Sequence, residues 1–137
     1  MQGVHDILKE HELRVTPIRE RVLAVIRDSK SALSSQDIEM KFNDIDRITL
    51  YRTLKTFESK GIIHKAVDGT SVQKFAMCDA GCNEHIHHDQ HAHFHCDNCG
   101  STFCLDSLEI PMIKHDTGFK VRSMDVIMKG TCVDCSS

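Results

Sequence analysis

No stretch of this sequence approaches the roughly 18 consecutive apolar residues of a membrane-spanning helix. Its first residues, MQGVHDILKEHELRV, lack the apolar core of a secretory signal. The expectation is a cytoplasmic protein with no membrane partner. Catalytic zinc motifs are missing too: there is neither His-Glu-x-x-His nor His-x-Glu with Pro-Cys-x-x-Cys. A catalytic zinc needs an open position and a general base, so neither an enzyme nor a small-molecule substrate is expected. Internal repeats are absent. The seven cysteines are an odd number, which does not suit a disulfide framework. In a reducing compartment, Cys-x-x-Cys units are more often metal ligands than disulfides. The 137 residues are 40% hydrophobic and 27% charged, as in one globular domain or two very small ones.

Histidine and cysteine are in excess, and in one place. Residues 85–104 read HIHHDQHAHFHCDNCGSTFC and hold six of the ten histidines and three of the seven cysteines. Packing calls for no such density, whereas imidazole and thiolate are the ligands that zinc and its neighbours prefer. The Cys96-x-x-Cys99 spacing returns 36 residues on, as Cys132-x-x-Cys135. Two such knuckles make a tetrahedral four-thiolate site, a closed structural zinc site. That zinc would clasp the chain end to the start of a unit too small to bury much core. The other reading of the four residues is unrelated reduced thiols or a redox pair.

Helical signals dominate the first half. Val4, Ile7 and Leu8 begin an apolar stripe. Thr16 before Pro17 reads as an N-cap with proline at the first helical position, and Ile18, Val22, Val25 and Ile26 follow at helix spacing. Ser34 and Asp37 open a third helix with Ile38 and Phe42 inward. Asp46 starts a fourth over 47–60, in which Ile48, Tyr51, Leu54 and Phe57 recur every third residue before a stop at Gly61. Residues 62–67, an Asp68-Gly69 turn and residues 72–77 read as a β-hairpin. Helices in tight succession followed by a hairpin predict a winged helix-turn-helix, with 47–60 as recognition helix. Beyond a polar loop or hinge, the alternation His91-x-His93-x-His95 predicts a strand, with Ser101 to Leu105 as its partner. A short helical stretch is expected over 107–117 and a strand from Phe119 to Met128.

Two further groups carry chemistry. His91 and His93 point to one side of a strand, and His64 and Cys78 lie on opposite arms of the hairpin, with Cys104 nearby in sequence. A metal held by His64, Cys78, His91 and His93 would tie the hairpin to the C-terminal unit. The plainer readings are a surface histidine at 64 and a small buried hydrophobe at 78. On the fourth helix, Thr49, Tyr51, Arg52, Thr53 and Lys55 offer hydroxyls and cations of the kind that contact phosphates and base edges, with Arg14, Arg19 and Arg21 as backbone contacts. The alternative is a solvated helix face with Tyr51 in the core. Charge is uneven: residues 1–78 carry 13 Lys+Arg against 11 Asp+Glu, and residues 79–137 carry 4 against 9. The first part suits an anionic partner better than the second.

Thr16-Pro17-Ile18-Arg19, Thr49-Leu50-Tyr51-Arg52-Thr53-Leu54, His91-x-His93-x-x-Cys96-x-x-Cys99-Gly100 and the terminal Cys132-x-x-Cys135, taken in order over nearly the whole chain, resemble the ferric uptake regulator family. The resemblance implies a dimeric, metal-sensing repressor of operator DNA. The α+β fold would comprise a winged-helix domain over 1–78, a hinge or His-rich loop over 79–90, and a small α/β dimerisation and metal-binding domain over 91–137. It puts Tyr51 and Arg52 at double-stranded DNA, with Thr49 and Lys55 on the same helix and Arg19 near the phosphates. It makes Cys96, Cys99, Cys132 and Cys135 structural zinc ligands. Iron and peroxide sensors of the family take a histidine before the third helix, where this chain has Ser31-Ala32-Leu33, and a carboxylate where it has Cys104. Zinc uptake regulators use a wing residue and a cysteine at the end of the wing, which His64 and Cys78 match. The sensory metal is therefore expected to be Zn2+ rather than Fe2+ or Mn2+, with Cys104 a possible extra ligand. The alternatives are an iron- or peroxide-sensing repressor and a zinc-buffering protein. A further family site is expected to be missing: Gln90 and Ala92 replace its ligands, no glutamate lies closer to Pro111 than Glu109, and no histidine stands near Met124. Cys82, His85, His87 and His88 are extra.

Overall fold

The computed structural model describes residues 3–78, 92–105, 116–121 and 124–136. Helix α1 (Val4–Glu10) leads into α2 (Pro17–Asp28), then β1 (Leu33–Ser34), α3 (Ser35–Glu39) and α4 (Arg47–Ser59). Strands β2 (Ile63–Ala66) and β3 (Lys74–Met77) follow, then β4 (Ala92–Cys96), β5 (Thr102–Leu105), β6 (Ile127–Gly130) and a final helical turn, α5 (Val133–Ser136).

Helices α2, α3 and α4 start where a side chain satisfies free backbone donors. Thr16 accepts from the Arg19 N–H at 3.3 Å, with Pro17 in the first turn. Ser34 and Asp37 form a reciprocal capping box, with bonds of 3.1 and 3.0 Å. Asp46 accepts from the Thr49 N–H at 3.0 Å. Helix α4 stops at Gly61, whose φ of 78° lies in the left-handed region. These are the starts and stops expected from the sequence.

The apolar face of α4 differs from the expected one. Leu50, Thr53, Leu54 and Phe57 are buried, while Ile48 and Tyr51 are 60% and 59% exposed. Residues three apart drift by about 60° per step around a helix, so four of them span half its circumference. The i, i+3, i+4, i+7 set is the one that faces a single core. Thr53 enters that core by donating its hydroxyl to the Thr49 carbonyl at 2.8 Å.

The hydrophobic core joins Leu8, Val22, Leu23, Ile26, Ile38, Leu50, Leu54 and Phe57 to Ile62, Ile63 and Phe75 of the hairpin. Its sheet has the order β1-β3-β2, all antiparallel, with Ile63 opposite Met77 and Ala66 opposite Lys74. The hairpin's connection is wider than an Asp-Gly turn. The strands end at Ala66 and resume at Lys74 because the Asp68 side chain turns inward, 1% exposed, toward the second sheet.

That second sheet has the order β5-β4-β6. Strand β4 pairs with β5, as expected, and does so antiparallel, with His93 opposite Cys104 and His95 opposite Thr102. It pairs with β6 parallel, with Cys96 opposite Gly130. The predicted strand over Phe119 to Met128 is corrected: among its described residues only Ile127 and Met128 are strand, the first half of β6, and Phe119 and Val121 are 78% and 61% exposed. Alternation marks residues able to line a sheet face, but a strand exists only where a neighbour's backbone is in reach. Of the predicted helical stretch, 107–115 lies outside the described residues, and Asp116 and Thr117 are not helical. No helix among the described residues is long and apolar enough to cross a membrane.

The two sheets meet through polar groups. The Ala32 N–H donates to the Thr102 carbonyl at 2.7 Å. Asp68 accepts from the Thr102 hydroxyl at 2.7 Å and pairs with Lys74 at 3.1 Å. Lys74 also donates to the Gly100 carbonyl at 2.7 Å.

Truncating Phe57 to Ala should cost about 3–5 kcal/mol, whereas Ile48→Ala should change stability by less than about 0.5 kcal/mol. Denaturant unfolding of the two variants beside the wild type checks which face of α4 is buried.

Candidate metal centres and the exposed face of α4

Strand β4 ends at Cys96, and the chain turns so that Cys99 follows before Gly100, whose φ of 77° only glycine adopts without strain. The parallel pairing of Cys96 with Gly130 carries the chain end to the same place. There Cys132 precedes α5 and Cys135 lies within it. One sulfur from each of Cys96, Cys99, Cys132 and Cys135 lies within 4.8 Å of all the others. The sulfurs of Cys99 and Cys132 are 3.8 Å apart, the edge expected of a tetrahedron with Zn–S bonds of about 2.3 Å. All four are thiols rather than disulfides.

The backbone prepares this cluster for a cation. Cys96 Sγ accepts from the N–H groups of Cys99 and Cys132 at 3.5 and 3.4 Å. Those two donors hold its thiol down to about 6, against the opposing effect of burial. Cys99 is lowered as well, chiefly by Ser101. The Asn98 side chain pulls Cys135 down, but Cys132, burial, Cys99 and Cys96 together push it up to about 12. Four sulfurs this close cannot all ionise unaided, and a central dication removes that conflict. The donor set and spacing fit zinc.

A second cluster spans the two sheets. His64 comes from β2, His93 from β4 and Cys104 from β5, with one ligand atom of each within 4.8 Å of the others. The two imidazoles are each only 5% exposed, with ring centres 5.9 Å apart. Cys104 Sγ lies 3.6 Å from His64 Nε2. Cys104 enters because it stands directly opposite His93 across the ladder, a register that residue spacing does not reveal. Cys78 follows β3, half-buried, with its N–H donating to the Ile62 carbonyl at 2.9 Å, and is not one of the clustered three. His91, Cys82, His85, His87 and His88 lie outside the described residues.

On the outer side of α4, Tyr51, Arg52 and Lys55 are exposed, and Lys55 Nζ sits 5.5 Å from the Tyr51 ring centre. This removes the alternative of a core tyrosine. Beside them runs a cleft of about 460 Å³ lined by Arg14, Thr16, Arg19, Thr49, Arg52 and Thr56. Arg19 is braced there, its Nη1 donating to the Arg14 carbonyl at 2.8 Å. The Thr49 hydroxyl donates to Asp46 at 3.1 Å. Three guanidiniums lining one cleft make a positive surface suited to phosphate.

The polar contacts between the sheets had no counterpart in the sequence reading. Asp68 next to glycine read as a turn residue, and nothing local marks Lys74 or Thr102 as its partners. Thr70 donates to Asp68 Oδ1 through its N–H at 2.9 Å and its hydroxyl at 2.6 Å. Burial alone would raise the Asp68 carboxyl, but the bonds from Thr70, Thr102 and Lys74 outweigh it and hold the group well below the usual carboxylate range.

Comparison with known proteins gives a consistent result. The sequence profile of the ferric uptake regulator family matches residues 10–129. The peroxide operon regulator of Bacillus subtilis (strain 168) is 29% identical over 140 residues, covering 96% of this chain and 90% of that protein. The crystal structure of the Vibrio cholerae ferric uptake regulator is similar in fold, with a TM-score of 0.62 at 19% identity, over 93% of this chain and 98% of that one. A zinc uptake regulator complexed with zinc and DNA also has a TM-score of 0.62, at 21% identity, over 96% of this chain and 89% of that one.

In metal-stripped, reduced protein, thiolate ultraviolet absorbance should rise in a step near pH 6 that Cys96→Ser removes. The sign follows from a lowered thiol, which is ionised above its pKa. A wild-type titration without that step would contradict the backbone account of Cys96.

Proposed function

The chain belongs to the ferric uptake regulator family of metal-responsive transcriptional regulators, and from that premise we propose that it is a zinc-responsive repressor that binds operator DNA as a homodimer. The observation that carries this reading is the cluster of His64, His93 and Cys104, because it joins the wing hairpin to the second sheet. A metal there touches both halves of the fold and so distinguishes one arrangement of them from others. Two imidazoles and a thiolate favour zinc over ferrous iron. Cys78, at the end of the wing, and His91, two residues before His93, are the candidates for the fourth ligand. Cys96, Cys99, Cys132 and Cys135 would hold a second, structural zinc throughout.

In this reading the bound metal supplies a cross-link, and the chain's own residues do the rest. His64 ties the wing to the rung of His93 and Cys104. Helix α4 then presents Tyr51, Arg52 and Lys55 to the major groove, with Thr49 near its start, and Arg19 meets a backbone phosphate. Two such helices in a dimer meet successive grooves. Without the metal, the arrangement must be ordered at the moment of DNA binding, and affinity falls by that cost. Phosphate contacts make binding weaken as salt rises. The likeness to a peroxide operon regulator favours a second reading, an iron-loaded peroxide sensor. The thiolate in the site speaks against it, and an oxidised histidine after peroxide treatment of ferrous protein would support it.

Elemental analysis should find two zinc ions per chain. Cys104→Ser and Cys135→Ser should each lose one, from different sites, and Cys78→Ser tests the wing cysteine in the same way. In gel shifts on duplex DNA selected from a random library, zinc should tighten binding at least ~10-fold over chelator-treated protein. Arg52→Ala should weaken binding at saturating zinc by ~10- to 100-fold. Affinity indifferent to zinc would overturn the sensor.

A further inference from the structure

The sensory site described above is split. His64 belongs to the hairpin sheet, whereas His93 and Cys104 belong to the other. A site divided between two bodies binds metal weakly unless something else holds its halves in register, since each binding event must order both. A second contact joins the same strands two residues further along. On β4, His93 and His95 point to the same side. Opposite them on β5 stand Cys104 and Thr102. The first rung meets His64 of β2; the second meets Asp68, just beyond β2.

The second rung is a dense polar clasp. Asp68 Oδ2 accepts from the Thr102 hydroxyl at 2.7 Å, pairs with Lys74 Nζ at 3.1 Å and lies 3.6 Å from His95 Nδ1. Lys74 Nζ also donates to the Thr102 hydroxyl at 3.0 Å and to the Gly100 carbonyl at 2.7 Å. Asp68 Oδ1 is held by both donors of Thr70, which aims the carboxylate inward. Thr102 is fully buried, and the Asp68 side chain is 1% exposed. A buried ion pair of this kind adds little net stability over an apolar replacement, because desolvation offsets its attraction. What it provides is a defined arrangement: only one placement of hairpin on sheet satisfies every group.

We propose that Asp68, Lys74 and Thr102 are positioning residues for the sensory site, which set its metal affinity by holding His64 against the His93–Cys104 rung before metal arrives. The clasp also reaches the four-cysteine knuckle, through Gly100 beside Cys99. The hairpin is thereby seated on the part of the second sheet that the structural site makes rigid. Metal binding then completes a nearly assembled site rather than assembling one. This inference rests on the reading of His64, His93 and Cys104 as a sensory zinc site.

The test uses full-length protein carrying its tightly held zinc. Thr102→Val removes one hydroxyl at constant volume, Asp68→Asn removes the charge, and Thr102→Ser restores the hydroxyl. Zinc affinity at the sensory site is read by competition with a chromophoric chelator, and operator affinity by gel shift at saturating zinc. Thr102→Val and Asp68→Asn should each weaken sensory zinc binding by about 5- to 100-fold. Both should keep the tight zinc and approach wild-type operator binding once zinc is saturating, and Thr102→Ser should bind zinc like the wild type. Unchanged zinc affinity in variants that keep the tight zinc would overturn the proposal. So would a Thr102→Ser protein as weak as Thr102→Val. Loss of the tight zinc or of cooperative unfolding in both Thr102→Val and Asp68→Asn also overturns it, since the clasp then belongs to the fold and not to the switch. A wild type that binds no second zinc, or whose operator affinity ignores it, defeats the sensory reading instead.

Discussion

Among the described residues, the second sheet is fastened by polar and sulfur groups rather than by an apolar core, and the rest of the architecture answers to that constraint. The hydrophobic cluster of the described residues lies within the helices and hairpin of residues 4–77. Around β4, the buried residues are Ala92, His93, Cys96, Thr102 and Cys132. The apolar content of these described residues cannot by itself oppose the entropy of ordering three strands. Four sulfurs at one end pin the strands instead, while the Asp68–Lys74–Thr102 contact along the side adds little stability and fixes where the hairpin sits. Both depend on exact pairing, so the sheet's position relative to the hairpin is narrowly defined.

This makes the molecule suited to responding to a metal. A large apolar interface between the two sheets would favour one arrangement whatever the ligand. An interface of a few directional contacts leaves a balance that one more ligand set can tip. The same strand, β4, supplies Cys96 to the thiol cluster, His95 to the polar clasp and His93 to the split site. Adjacent residues on one strand alternate between faces, so the three roles sit within one short ladder. The exposed groups of α4 point away from the hydrophobic core, and none of them belongs to this ladder's chemistry. Their link to it is the hairpin, which packs on α4 and carries His64.

Much of the fold was legible because it is written locally. Thr16, Ser34 and Asp46 cap helices through bonds that reach only three residues along the chain, and Gly61 ends α4 through its own φ. The knuckles of Cys96, Cys99, Cys132 and Cys135 are visible as two repeated spacings. The every-third run from Ile48 to Phe57 misled because apolar residues also serve exposed surfaces. The alternation from Phe119 to Met128 misled because strand formation depends on a partner edge. Sequence shows Cys104 only as a nearby thiol; its place opposite His93 is a matter of inter-strand register, and register has no trace in spacing.

Residue types and their spacing alone determined the α+β class, the starts of α2, α3 and α4, the paired thiols and the histidine-rich supply of ligands, because caps, turns and knuckles act over a few residues. Tertiary structure alone decided which face of α4 is left open, that Cys104 joins His64 and His93, and that Asp68 locks onto Thr102. The last two turn on contacts between residues 40 and 34 positions apart in the chain. Separations of that length are closed by packing and strand pairing, which a reading along the sequence does not contain.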